Sequence, residues 1–494
     1  MAPSALLEIF VGLLSIVFFI AYWRSNHGIP KNLPIVGMMP YLIIHINHFH
    51  EWTSDLFSYF STFVFKGIWF TGQDLIVTTE PDDVNYIFNT NFRNYPKGED
   101  LAEVFDIFGK GMVTQDNEPW MAIRRVMKQI FSDFNFIKFS SRITQQKLEN
   151  GFLPVLDSLA KAGKVVDFTK LAKRLSFDIN FMSVNGLDPA TLSPDFPHLP
   201  YLNSMDVVEE AIFYRHALPK VVWKFMRKMN LGVEKRYSEA WKALDIALAD
   251  ALGKKKQQLE VGDGESASML DHFLRECNFD DSLIRDLMCN FMLAGKNTIS
   301  TAFTWLIWLL SMNKEAETKI REEINSLLSP EERSRRRVFT AEEVKKMTYL
   351  HCALSETIRL YPPIGFELKS PLQPDVLPSG HHVTPSQKII VFFYCMGRMA
   401  NIWGEDCREF KPERWIDENG GIKYFPPHKF VAFHAGPRIC LGKDMAYTQL
   451  KMMTAALLHN YEVQVLEGQK ITIENSLILQ MKNKLKVKIT KKWN

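Results

Sequence analysis

The sequence predicts a mainly α protein with a minor β component, preceded by an N-terminal transmembrane helix. Three observations carry that expectation. Long stretches repeat apolar residues at helical spacing, among them "WMAIRRVMKQIF", "LIRDLMCNFMLAGKNTISTAFTWLIWLLS" and "DMAYTQLKMMTAALLHNY". Strand-like alternation is confined to short pieces such as "KIIVFF" and the terminal "KLKVKIT". Apart from both stands "ALLEIFVGLLSIVFFIAYW", Ala5 to Trp23, with Glu8 as its only charge.

The 19 residues of that run, at about 1.5 Å each, nearly match a hydrocarbon core of about 30 Å. Glu8 lies close enough to one end to reach the interface. No basic residue precedes the run and no A-x-A pattern follows it, which speaks against a cleaved signal peptide. Arg24 and Lys31 on the downstream side leave the rest of the chain in the cytosol by the positive-inside rule. Residues 1–27 are therefore expected to be a membrane anchor. In residues 28–37, "GIPKNLPIVG", two prolines hold their neighbours extended, as in a stiff hinge.

At 494 residues the chain has room for about three domains. No internal repeat divides it, and the clearest linker-like stretch is "EVGDGESAS", Glu260 to Ser268. Lys and Arg number 59 against 56 Asp and Glu, a net charge of +3 that gives no reason to expect nucleic acid as a partner. The six cysteines form no C-x-x-C pair, which argues against a zinc ribbon and a thioredoxin-like site, and so few in so long a chain do not look like a disulfide framework.

Cys440 needs a separate account because "FHAGPRICLG", Phe433 to Gly442, surrounds it with a proline, two glycines and an arginine. A free cysteine is most often a small buried hydrophobe. Here Ala446, Leu450, Met453 and Leu457 lie on one helical face just downstream, so Cys440 sits at or just before a helix N-terminus, which favours a thiolate. A nucleophile lacks a base, since nothing fixes His434 toward the sulfur. A single thiolate is too little for tetrahedral zinc but is the one protein ligand of thiolate-held haem iron. Gly436 and Gly442 would admit a flat macrocycle, and Arg438 suits a propionate.

The same ten residues match F-x-x-G-x-R-x-C-x-G at every fixed position, and this loop resembles the haem-ligand loop of the cytochrome P-450 superfamily. The resemblance implies that Cys440 is the proximal haem ligand, with Phe433 beside the sulfur and Arg438 on a propionate. Further matches follow in the family's order. "WMAIR" carries Trp120 and Arg124, resembling propionate contacts. "AGKNT" resembles the segment crossing the distal haem face, where Ala294 and Gly295 would make room for dioxygen and Thr298 would support proton delivery. "ETIR" lies on a helix opened by the "TAEE" capping box from Thr340 or a later turn. With "FKPERW" it resembles an ion triad of Glu356, Arg359 and Arg414. The departure is Asn297, where the family usually has a carboxylate; an amide orients water but does not relay a proton by ionising. Asn297→Asp is therefore expected to raise product formed per NADPH.

The likeness spans essentially the whole chain and implies one catalytic domain, residues 38–494, in place of three. Stretches such as "NYPKG", "EEAIFYRH" and "GRMANIWGEDCREFKPERW" are similar to the plant branch of mid-chain alkane hydroxylases and alkaloid phenol-coupling enzymes. The resemblance implies haem b, electrons from NADPH through a flavin reductase, dioxygen, an apolar substrate and a place in the endoplasmic reticulum membrane with the catalytic domain in the cytosol. Hydroxylation of an alkane or fatty-acid-like chain leads, oxidative phenol coupling is the alternative, and a haem-thiolate isomerase or dehydratase is remote. Phe105, Phe108, Phe213 and Phe366 are pocket candidates, although most of the 36 phenylalanines serve the core. Glu367 either pairs with Lys369 or, pointing inward, suits a protonated amine.

Overall fold

The computed structural model describes residues 30–69, 74–194, 196–197, 199–261, 267–385 and 387–493, together with Gly12, Ser15 and Ile16, whose backbone is helical. The rest of the expected anchor, Ala5–Trp23, lies outside the described residues. Among the described residues no helix is long and apolar enough to cross a membrane.

The strands in chain order are β1 (Thr62–Phe65), β2 (Leu75–Thr78), β3 (Val166–Asp167), β4 (Glu367–Lys369), β5 (Asp375–Val376), β6 (His382–Val383), β7 (Lys388–Val391), β8 (Tyr461–Val465) and β9 (Lys486–Lys491). The helices that bear on the site are α1 (Asn117–Ser132), α2 (Phe168–Asn185), α3 (Pro200–Ala217), α4 (Gly232–Val261), α5 (Asp281–Met312), α6 (Ala341–Lys345), α7 (Thr348–Leu360) and α8 (Lys443–Asn460). They distribute over two compact units, each built from separate stretches of chain.

One unit comprises Met1–Pro96, Gly365–Cys407 and Ala435–Arg438. Its centre is a four-stranded sheet in the order β1-β2-β7-β4, with β2 and β7 parallel and both outer pairings antiparallel. The two inner strands are the "KIIV" of the predicted strand and "LIVT", and Ile76, Ile389 and Val391 are fully buried. Such near-continuous apolar runs belong where both faces of a sheet are covered. Residues 30–37 of the hinge segment do not run free: Leu33 and Gly37 exchange backbone hydrogen bonds, and Met38 N–H donates to Lys66 O at 2.8 Å.

The other unit comprises Lys97–Ile364, Arg408–His434 and Ile439–Asn494, and is dominated by helices. α5 starts where Asp280 accepts a hydrogen bond from Leu283 N–H at 2.7 Å, then runs 32 residues with apolar side chains on most faces. Such a helix must be enclosed, and α2 packs along it. Trp305 of α5 stacks on Tyr361 just past α7, ring centroids 3.8 Å apart. The "KLKVKIT" alternation becomes β9, which buries Val487 and Ile489 and exposes the lysines between, within the sheet order β3-β9-β8. The Thr340 capping box forms, but it opens the five-residue α6; α7, which carries Glu356, starts separately at Thr348.

Candidate active site

Cys440 stands two residues before the N-cap of α8, Gly442. Its backbone N–H donates to Phe433 O at 2.8 Å and closes the turn. All six cysteines are free thiols; Cys440 is exposed, whereas Cys277 is half-buried and the others buried. Although its surface can be reached, enclosing protein mass pushes the thiol pKa above its ordinary value. The Gly442 N–H, Arg124 and Lys443 oppose that shift without overcoming it. The pull of the helix start toward a thiolate is thus opposed by desolvation, and a cation bound at the sulfur would favour the deprotonated form.

The two glycines of the loop serve different ends. Gly436 has φ +64°, and a Cβ there would lie 1.9 Å from Phe88 O, an overlap that no side chain tolerates. A Cβ at Gly442 would meet only Phe131 Cε1 at 3.8 Å and Cys440 Sγ at 3.9 Å, ordinary contacts. Protein atoms therefore require glycine at 436 but not at 442. Arg438 lies 5.9 Å from the centroid of Phe92 in the same unit. Phe433 is half-buried, 5.4 Å from the Tyr447 ring, and Lys443 Nζ lies 5.8 Å above it.

On α1, Trp120 is buried and Arg124 lies one turn on, its guanidinium 6.0 Å from the Trp120 ring. Arg124 Nη2 donates to the carbonyl of Ile439, the residue before Cys440, which ties α1 to the thiol turn. On α7, Glu356 and Arg359 are sealed from solvent and joined by two hydrogen bonds of 2.7 Å. Arg414 Nε reaches Glu356 Oε1 at 3.3 Å. Sequence reasoning missed two further partners: Trp415 Nε1 donates to Glu356 Oε2 at 2.8 Å and Lys411 N–H to Oε1 at 3.0 Å. Trp415 was visible inside "FKPERW", but nothing in the sequence marked its indole as a donor rather than core.

Within α5, Ala294 is exposed while Leu293, Lys296 and Asn297 are buried, so this turn presents one open face. Thr298 is half-buried and its hydroxyl donates back to Ala294 O at 2.6 Å. Gly295 points elsewhere: a Cβ there would lie 2.2 Å from Asn180 Oδ1 of α2. Its small size is thus demanded by helix packing, and the expectation that it clears room for dioxygen is corrected. Asn297 faces α3, where its Nδ2 donates to Asp206 Oδ1 at 2.8 Å and to Glu209 Oε2 at 2.7 Å. An aspartate at 297 would confront two carboxylates, which removes the basis for expecting a gain from Asn297→Asp. Neither Asp206 nor Glu209 was legible as a neighbour of Asn297, since helical spacing does not say which helices touch.

Of the pocket candidates, Phe108 and Phe213 are buried, Phe108 in one apolar core cluster of their unit, and half-buried Phe105 packs 5.9 Å from Phe108. In the other unit, Phe366 is buried against Phe49 and Phe392. Glu367 and Lys369 share one face of β4, and Lys369 Nζ stands 3.4 Å from Glu367 Oε1. The carboxylate already faces a buried cation.

A family model for cytochrome P450 matches residues 28–489. The chain is a cytochrome P450. Its curated relatives include the alkane hydroxylase MAH1 of Arabidopsis thaliana, 36% identical over 96% of each chain. Noroxomaritidine synthase 2 of Narcissus aff. pseudonarcissus is 38% identical over 99% of this chain and 96% of its own. Cytochrome P450 86B1 of Arabidopsis thaliana is 34% identical over 97% of this chain and 89% of its own.

Membership of the P450 family implies haem iron, a redox partner, dioxygen and an organic substrate, and the Cys440 turn fits such a group. The donor is one reachable sulfur, and among the described residues no group of three or more His, Cys, Asp or Glu is arranged to hold a metal. Glycine at 442, unexplained by protein contacts, leaves backbone open to a flat ligand beside that sulfur. The protein is a P450 monooxygenase.

Proposed function

We propose that this P450 hydroxylates an unactivated C–H bond of a long-chain alkane or fatty-acid-like molecule, with electrons from NADPH delivered by a flavin reductase. When bound, haem supplies the dioxygen chemistry. Cys440 would hold its iron, Arg124, Trp120 and Arg438 would meet its propionates, and Phe433 would shield the sulfur. Ala294 offers the least bulk on the open face of α5, and Thr298 holds a hydroxyl one turn away. The Glu356–Arg359–Arg414 network would keep the core behind this site rigid.

The observation that carries the aliphatic substrate is the Glu367–Lys369 pair. A carboxylate reserved for a protonated amine would face the ligand without a competing cation, whereas here the Lys369 ammonium neutralises it. Oxidative coupling of phenol rings is the second reading, supported by 38% identity to noroxomaritidine synthases. The hydropathy of Ala5–Trp23 supports a single-pass anchor in the endoplasmic reticulum membrane with the catalytic part in the cytosol.

The test is a spectral titration of the purified holoprotein with a long-chain alkane and, separately, with a phenolic amine, following the low-to-high-spin shift. A shift with the alkane alone is expected. A shift with the amine alone would overturn the aliphatic reading in favour of the coupling one.

A further inference from the structure

Asn297 leaves a P450 without a carboxylate at the position where the family usually carries one, yet α3 sets Glu209 directly against it. Glu209 is buried, with only 3% of its surface exposed, and its Oε2 accepts the Asn297 amide N–H at 2.7 Å. Two further atoms continue the line along α5. Asn297 Oδ1 and Thr301 Oγ1, one helical turn apart, are both buried and have no hydrogen-bond partner among the described residues. Buried polar atoms of this kind are ordinarily satisfied by an ordered water. On the other side of Asn297, Asp206 accepts Lys296 Nζ at 2.9 Å and Lys173 Nζ at 2.7 Å. Lys173, Asp206 and Lys296 line a cavity of ≈ 420 Å³ together with Glu474, Ser476 and Gln480, and the Ser476 Oγ and Gln480 Oε1 atoms are likewise buried without partners among the described residues.

We propose that Glu209 is the proton-donating carboxyl group of this P450, replacing the missing carboxylate of α5 and passing protons through a water held between Asn297 and Thr301. Insertion of one oxygen atom consumes two protons and two electrons: substrate R–H, dioxygen, the two protons and the two electrons give R–OH and water. The electrons come from the reductase. Because Asn297 donates to Oε2, that atom is the carbonyl oxygen of the acid and the proton sits on Oε1. In each transfer the Oε1–H bond breaks, its electron pair stays on the carboxylate, and the water chain carries the proton toward Thr298. The carboxylate regains a proton from the cavity side, past Lys296 and Asp206.

The charged surroundings keep Glu209 supplied with that proton. Burial and the adjacent Asp206 raise its pKa to about 8, while Lys296, the Asn297 hydrogen bond and Lys173 pull the other way. Glu210, on the same helix, is engaged by Arg236 at 2.8 Å. Glu474 and Lys482 of the C-terminal segment line the same cavity as Asp206 and Lys296. The acid form therefore prevails at neutral pH, and donor capacity is lost as pH rises through about 8.

The inference depends on dioxygen reduction in this site and not on the choice of substrate, and two measurements test it. First, the infrared spectrum of the holoprotein should contain the carbonyl stretch of a protonated buried carboxylic acid, vanishing through about pH 8 and absent from Glu209→Gln. Second, NADPH-supported dioxygen consumption, reconstituted with a flavin reductase and hexadecane as probe, should fall about tenfold or more in Glu209→Gln. The pH profile of that variant should be flat where the wild type declines, and Glu209→Asp should restore part of the rate. No carboxyl band, or a Glu209→Gln enzyme with the wild-type rate and profile, overturns the proposal. Should Glu209→Gln fail to bind haem, Thr301→Val replaces it: a slowed rate with the band retained supports the path, and an unchanged rate overturns it.

Discussion

Arg359 donates two hydrogen bonds of 2.7 Å to Glu356 across one turn of α7, with both side chains sealed from solvent. A buried charge left without its partner is strongly destabilising. Glu356→Ala removes the carboxylate that the Arg359 and Arg414 guanidiniums and the Trp415 indole share, so a loss of about 3–5 kcal/mol is expected. Chemical denaturation of the purified variant, with haem content measured alongside, checks it; a loss below about 1 kcal/mol would show that water replaces the carboxylate.

The two glycines of the Cys440 loop give opposite expectations. Gly436→Ala combines a left-handed φ of +64° with an overlap on Phe88 O, and is expected to destabilise the fold by about 1–3 kcal/mol or more. Gly442→Ala meets only ordinary contacts, so its melting temperature without haem should match the wild type while haem affinity falls. Equal haem affinity in Gly442→Ala would remove the reason for reading that glycine as a ligand-facing position.

Gly295 and Asn180 are expected to be energetically coupled. Gly295→Ala drives a Cβ onto Asn180 Oδ1, while Asn180 Nδ2 donates to the carbonyls of Phe291 and Met292 at 3.1 and 3.0 Å. The single variant should cost about 1–3 kcal/mol. In the double variant with Asn180→Ala, a double-mutant cycle should return a favourable coupling of about 0.5 kcal/mol or more. Strict additivity would show that the helices separate instead of clashing.

Glu209 predicts a pH dependence of stability whose sign follows from its raised pKa. Between its ordinary value near 4.5 and about 8 the native state binds more protons at this site than the unfolded chain does. Its contribution is therefore fully present below about 4.5 and lost as pH rises toward 8. Glu209→Gln should abolish that decline, which urea unfolding across the window measures. A decline of equal slope in the variant would assign it to another group.

The Glu367–Lys369 pair predicts that Glu367→Gln leaves the affinity read from the alkane spin shift within about twofold of the wild type, because its effect is on β4 and not on the ligand. A phenolic-amine shift that is present in the wild type and lost in Glu367→Gln, read in the same spectral titration, would restore the carboxylate to ligand recognition.

Much of the architecture was legible in the sequence. The apolar periodicity of α5 and α8 and the period-two alternation of β9 depend on residues close in sequence, and local spacing fixes which face of an element is apolar. The Cys440 loop was legible for a similar reason: its thiol, its glycines and the following helix start lie within ten consecutive residues. The Glu356–Arg359 spacing likewise announced an ion pair, while burial and the third and fourth partners came from a separate segment.

Other site features needed the fold. Gly295 looked like space for a ligand until α2 filled that space with Asn180, and Asn297 looked like a lost relay until α3 brought Asp206 and Glu209 against it. The thiol of Cys440 shows the same division of labour: the sequence placed it at a helix N-terminus, but the balance between dipole and desolvation depends on how much protein surrounds the sulfur. By itself, then, the sequence determined the helical class, the haem-ligand loop and the ion-pair motif, because these are set by covalent neighbours and helical periodicity. Which helices abut, and so which carboxylate stands beside Asn297, was decided only by tertiary packing, since contact between distant segments is a property of the whole core.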